Sequence, residues 1–127
     1  MLAVLAMILA AGAAAEPYYE GVARDAFAAW SFTSEEIAFS GATRTTSVQT
    51  LYDTPTPFNG ISTPVAYSIH TVAFDCAAKT AAFLNGTNYD SSGARINSAT
   101  PSASLPWTDS TAGFQTLAAT VCAMPAP

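Results

Sequence analysis

The chain carries one histidine, His70, and two cysteines, Cys76 and Cys122. A histidine can move protons in catalysis when a carboxylate orients it and a hydroxyl lies within hydrogen-bond reach. Asp75 and Asp53 are the carboxylates nearest to His70 along the chain. His70 and Asp75 stand an odd number of positions apart, so on a regular strand they point to opposite faces. Serine and threonine are abundant, so a hydroxyl for His70 to activate carries no information by itself. Beside Val72, in an apolar stretch, His70 reads as a structural residue. A small periplasmic hydrolase using His70 is one alternative reading, a structural or inhibitor-like domain presenting the Asp53–Pro64 loop is another, and no catalytic residue is assigned.

The cysteines lie 46 positions apart. Neither has a Cys or His neighbour at metal-ligand spacing, so the pattern holds no thiolate metal site. In an exported chain two such cysteines pair by default, which gives a Cys76–Cys122 disulfide. Closing a loop of that length contributes roughly 4 kcal/mol in the chain-entropy view.

Other polar groups read as structural. Glu35-Glu36 and Asp53 are too sparse for Ca²⁺, which takes about six to eight oxygens. Asp75 is placed to cap the turn at Ala77-Ala78-Lys79 by accepting from backbone N–H groups. Trp30 and Trp107 could form a carbohydrate platform, but two isolated tryptophans more often pack in a core. Asn85-Gly86-Thr87 matches the glycosylation sequon by chance in a chain with a bacterial-type export signal. No cofactor or metal motif is present, and the expected protein is not an enzyme.

Charge narrows the partners. Four basic residues face nine acidic ones, for a net charge of −5. Arg24, Arg44, Lys79 and Arg95 are scattered, which removes the electrostatic footprint for nucleic acid and for anionic membrane surfaces. The start of the chain, Met1 to Ala11, is continuously apolar and runs into Gly12 and Ala13-Ala14-Ala15 before the polar Glu16. A short apolar run that ends in small residues reads as a signal peptide cut after Ala15. It is too short to span a bilayer, no Lys or Arg precedes it, and no lipidation cysteine follows it. The expected organisation is a signal peptide over 1–15 and a single exported domain over 16–127, periplasmic or secreted, with no membrane span.

The elements that would position these residues are mostly strands. Glu16 to Asp25 reads as a loosely ordered lead-in with room for one helical turn. Ala28–Phe32 and Ile37–Ser40 are short strands separated by a turn at Thr33–Glu36. Thr43–Tyr52 is rich in β-branched and aromatic residues, with Arg44, Thr46, Val48, Thr50 and Tyr52 on one face. Asp53 to Pro64 is a loop broken by Pro55, Pro57, Gly60 and Pro64. Val65–Cys76 is the strongest strand; His70, Val72, Phe74 and Cys76 share a face and should be covered. Thr80–Tyr89 follows, weakened by Asn85-Gly86, then a turn at Asp90–Gly93 and an edge strand over Arg95–Ala99. Thr100–Pro106 is a loop. Phe114, Leu117 and Val121 then fall on one helical face, with Thr108 or Asp109 as the cap. The expected fold class is α+β: an antiparallel meander of about five to six strands, with the C-terminal helix packed on one face and tied to it by the disulfide.

Four pieces of this pattern resemble the surface-adhesin E-like family of small exported bacterial domains. They are the aromatic strand followed by Ser34-Glu35-Glu36-Ile37 and Phe39-Ser40-Gly41; Val72-Ala73-Phe74-Asp75-Cys76; Tyr89 with Asp90-Ser91-Ser92-Gly93; and Pro106-Trp107 followed by a helix that ends Val121-Cys122. Together they cover Ala28 to Cys122. The resemblance implies a β-sheet with a terminal helix and a disulfide joining the two. The export signal, the paired cysteines and the lack of a catalytic constellation point to a non-enzymatic binding module whose partner is a protein or a cell-surface ligand. The adhesin that names the family is lipid-anchored, whereas this chain shows no lipidation cysteine, and no family binding residue maps onto a position here.

Overall fold

A computed structural model describes residues 18–127. The expected signal peptide lies outside the described residues. Strand β1 is Glu20–Arg24, β2 Ala28–Phe32, β3 Ala38–Ser40, β4 Thr43–Thr56, β5 Val65–Asp75, β6 Thr80–Tyr89, β7 Arg95–Ala99 and β8 Leu105–Pro106; helix α1 is Ala112–Ala123. All the strand pairings are antiparallel. The sheet runs β8-β6-β5-β4-β2-β1, with β3 also on β4 and β7 also on β6.

The meander, the terminal helix and the disulfide are as the sequence led us to expect, but the described residues form eight strands rather than five to six. The additions sit at the edges. The lead-in is not loose: β1 pairs with β2 from Glu20↔Phe32 to Arg24↔Ala29, with a bulge between Gly21 and Ala23. Its alternating Val22 packs against the core, which no isolated reading of a five-residue segment reveals. The 100–106 loop contributes β8 on Ala81 and Thr80. β4 continues past Tyr52 to Thr56, where Thr56 pairs with Val65 after a register break that begins at Leu51. Pro55 falls inside that break, the kind of irregular place where a missing N–H is tolerated.

The core lies between the sheet and α1. Phe32, Val48, Val72 and Phe74 from the sheet meet Phe114, Leu117, Ala118 and Val121 from the helix, all buried. Val72, Phe74, Phe114, Leu117 and Val121 are the positions the two periodicities placed inward. The helix starts later than expected. Trp107–Asp109 closes its own 3-10 turn, with the Ser110 N–H donating to Trp107 O at 2.9 Å. Thr111, not Thr108 or Asp109, is the cap, and its Oγ1 accepts from the Phe114 N–H at 3.3 Å.

Two side chains from the sheet complete the helix ends. Asp25, in the β1–β2 turn, accepts from the Gly113 N–H at 2.8 Å, the Thr111 hydroxyl at 2.6 Å and Trp30 Nε1 at 2.8 Å. At the other end Arg44 Nη1 donates to the carbonyls of Val121 at 2.9 Å, Cys122 at 2.7 Å and Met124. Negative charge at a helix N-terminus and positive charge at its C-terminus both match the helix dipole. The Cys76–Cys122 disulfide, with Cα atoms 5.7 Å apart, joins the residue after β5 to the last turn of α1.

Candidate functional site

The helix covers only one end of its sheet face. At the other end the residues on the same face change character. Register aligns Trp30, Thr50, Ser68, Asn88 and Asn97 in one row across five strands. Thr50, Ser68 and Asn88 are buried. The Ser68 hydroxyl donates to Asn88 Oδ1 at 2.6 Å, and Asn88 Nδ2 donates to Asn97 Oδ1 at 2.9 Å. The Tyr52 hydroxyl shares a hydrogen bond with Ser68; burial raises its pKa above the ordinary 10.0, and the Ser68 bond opposes that rise. Buried polar groups with their capacity filled in this way form a specific, rigid network.

His70 occupies the next row, between this polar ladder and the apolar core. Its cross-strand partners are Val48 and Gly86. The imidazole lies directly over Gly86: a Cβ built there would sit 2.2 Å from His70 Cδ2. Phe83 meets the ring edge-on, with centroids 5.0 Å apart. Burial pushes the His70 pKa below 6.5, so the ring is neutral at pH 7. Nδ1 is buried without a hydrogen-bond partner among the described residues, a cost of about 1–3 kcal/mol that native structures rarely carry.

A bulge in β6 makes this geometry. Thr71 faces Asn85, but Val72 faces Phe83, so Leu84 is the extra residue and stands out to solvent. The bulge lets both Gly86/Asn88 and Phe83/Ala81 face the helix side, which strict alternation forbids. The loop after β4 then folds over the row. Phe58 rests on Tyr52 at 5.5 Å between ring centroids. The Ile61 N–H donates to Phe58 O at 3.1 Å, and Gly60 takes φ +78° in that turn, as a type II turn requires.

Between loop and sheet lies a cavity of about 420 Å³ lined chiefly by Tyr52, Phe58, Ile61, His70, Asn88 and Asn97. None of its lining residues is acidic, and none is Lys or Arg. That size falls in the range of small-molecule sites, which combine apolar walls with a few placed polar groups. A second, shallower trough of about 450 Å³ runs over the opposite sheet face, where Gly21, Ala23, Ala29, Ser31, Gln49 and Leu51 leave low relief. Beside it Tyr67 stacks on Tyr89 at 4.7 Å.

The other candidate residues are dispersed. Asp75 Oδ1 accepts from the N–H groups of Ala77 at 3.1 Å and Ala78 at 3.0 Å, the turn-capping role read from the sequence. Asp53 pairs with Arg24 at 2.5 Å on the surface. Glu35 and Glu36 lie in an exposed 3-10 turn. Among the described residues no three of His, Cys, Asp or Glu gather closely enough to hold a metal ion. Trp30 packs edge-on against Phe114 at 5.3 Å, Trp107 packs against the core, and neither lines the His70 cavity. The sequence reading passed over Ser68, Asn88 and Asn97. A signal for Ser68 was available: it shares parity with Val72 and Phe74 on the face expected to be covered.

The chain matches no protein-family model and none of the curated proteins to which it was compared.

Proposed function

We propose that this protein is a non-enzymatic binding module of the cell envelope or the secreted set, and that the His70 cavity is where it holds its ligand. The observation that carries this reading is the hydrogen-bonded ladder Tyr52–Ser68–Asn88–Asn97, which lines a cavity together with His70. A sheet built for stability alone would carry apolar side chains under that loop, because a buried polar network gains little over well-packed hydrocarbon. The disulfide fits an exported chain.

A hydrolase using His70 is the second reading, favoured by the histidine's position in a cavity. Against it, no carboxylate lines the cavity to orient the imidazole, and the Ser68 hydroxyl donates to Asn88 rather than to His70. Those are the two contacts that an activated serine needs.

The test is NMR of labelled protein spanning 16–127, with fractions of envelope and culture medium added in turn. Binding at the cavity should shift the Asn88 and Asn97 side-chain amides and the His70 ring in a saturable way. A fraction that saturates only signals on the opposite face, around Leu51, Tyr67 and Tyr89, would move the site away from His70. Turnover of an ester or amide panel that disappears in His70→Ala would replace the binding reading with the hydrolase.

A further inference from the structure

Resting on the reading of the His70 cavity as a ligand site, we infer that its ligand is an uncharged saccharide unit. Charge decides the first part. No acidic residue, lysine or arginine lines the cavity, and burial keeps His70 neutral at pH 7. A carboxylate, phosphate or ammonium entering it would lose its hydration with no counter-charge in return. A neutral ligand has no such cost.

The polar groups decide the second part. The ladder is directional: Ser68 donates to Asn88 Oδ1 and Asn88 Nδ2 donates to Asn97 Oδ1, so the group left over at its open end is the Asn97 amide N–H. Asn59 and Thr100 add an amide and a hydroxyl at the rim, while the Ser98 hydroxyl is taken by Arg95 Nη2, which donates to it at 2.7 Å. Amides and hydroxyls both donate and accept, as do sugar hydroxyls, so a ring of hydroxyls can satisfy them in several ways at once.

The apolar wall decides the third part. Phe58 and Ile61 face the ladder across the cavity, and the Tyr52 and Phe58 rings are inclined at 58°. Two parallel rings would make a slot for a planar base. Rings at this angle offer one aromatic face and one edge, which suits the C–H face of a pyranose with its hydroxyls turned toward the ladder. Phe58 is 40% exposed, which puts its ring at the mouth.

The experiment titrates protein spanning 16–127 with glucose, N-acetylglucosamine and their β-linked disaccharides, with glucuronate and glucosamine as charged counterparts, and with uridine as a planar neutral control. NMR reads the Asn88 and Asn97 side-chain amides. We expect saturable shifts at those amides with at least one neutral sugar. Its glucuronate or glucosamine counterpart should bind at least about tenfold more weakly, a difference of about 1.4 kcal/mol. Asn97→Asp keeps the size, removes the free N–H and adds a charge, and should weaken the neutral sugar by about tenfold or more. Phe58→Ala, on an exposed loop that the core does not need, should weaken it independently, while Gln49→Ala on the opposite face should leave it unchanged. No saturable shift with any neutral sugar at tens of millimolar overturns the inference, as does tighter binding of a charged sugar or of uridine. In each of those cases the cavity survives as a ligand site if an envelope or medium fraction still shifts the same amides. If no fraction does, the site itself falls.

Discussion

Gly86→Ala pits two effects of opposite sign against each other. A strand glycine replaced by alanine normally gains about 0.5–1 kcal/mol, because alanine has less backbone freedom to lose on folding. At Gly86 the new Cβ meets the His70 ring, at 2.2 Å from Cδ2, 2.8 Å from Nε2 and 2.9 Å from Cγ. The ring has little room to retreat. Phe83 stands edge-on to it at 5.0 Å, and its Nδ1 side is buried. Overfilling a packed site costs about 1–3 kcal/mol, and a 2.2 Å approach belongs to the upper half of that range, so the net expectation is a loss of about 1–2.5 kcal/mol. In a His70→Ala background the obstacle is gone, and the same change should instead stabilise by about 0.5–1 kcal/mol. Urea unfolding of the four proteins, disulfide intact and followed by tryptophan fluorescence, measures this sign reversal as a coupling free energy. If Gly86→Ala is neutral or stabilising while His70 is present, the imidazole does not lie over Gly86 and the cavity has a different floor.

Three further variants probe the frame. Asp25 is held below its ordinary 3.8: burial raises its pKa, but hydrogen bonds from Thr111, Trp30 and Gly113 together outweigh that. A depressed carboxylate pKa gives stability that is complete above 3.8 and fades as the pH falls through the folded value. Wild type should therefore exceed Asp25→Asn by about 1–2 kcal/mol at pH 6, discounted for partial exposure, and the gap in urea midpoint should close well below pH 3.8; a gap independent of pH would contradict the linkage. Arg44→Ala removes the donor to three helix-end carbonyls and the contact over Phe39 at 4.9 Å, and should cost about 2 kcal/mol, with faster amide exchange over Val121–Met124. Cys76→Ser with Cys122→Ser should lower stability by about 3–4 kcal/mol, and intact mass of the wild-type protein should show the loss of two thiol hydrogens; a thermal midpoint equal to wild type would remove the structural role of the bond.

The frame was legible because it rests on local periodicity. Val72 and Phe74 alternate with Ala73 on β5, and Phe114, Leu117 and Val121 recur at helical spacing, so each element announced the face it would bury. The two cysteines close those elements, and their pairing followed. The edges were harder to read. A five-residue β1 and a two-residue β8 carry too few residues for a pattern, and they are strands only because β2 and β6 offer them open edges. The helix start slipped to Thr111 because the Trp107–Asp109 turn consumed the residues that looked like a cap.

The site shows the same division more sharply. From the sequence alone came a lone histidine on a covered strand, an acidic chain with scattered cations, and no dense set of acids or thiolates. Those facts depend only on residue identity and spacing. That Ser68, Asn88 and Asn97 line up with Tyr52 under one loop depends on register between strands, and register is set by turns, bulges and the burial of whole faces. The Leu84 bulge is decisive: without it Phe83 and Gly86 cannot both turn toward the helix side. Residue types therefore determined which chemistry was available, and only the tertiary structure decided that a neutral, hydrogen-bonding cavity would be assembled from it.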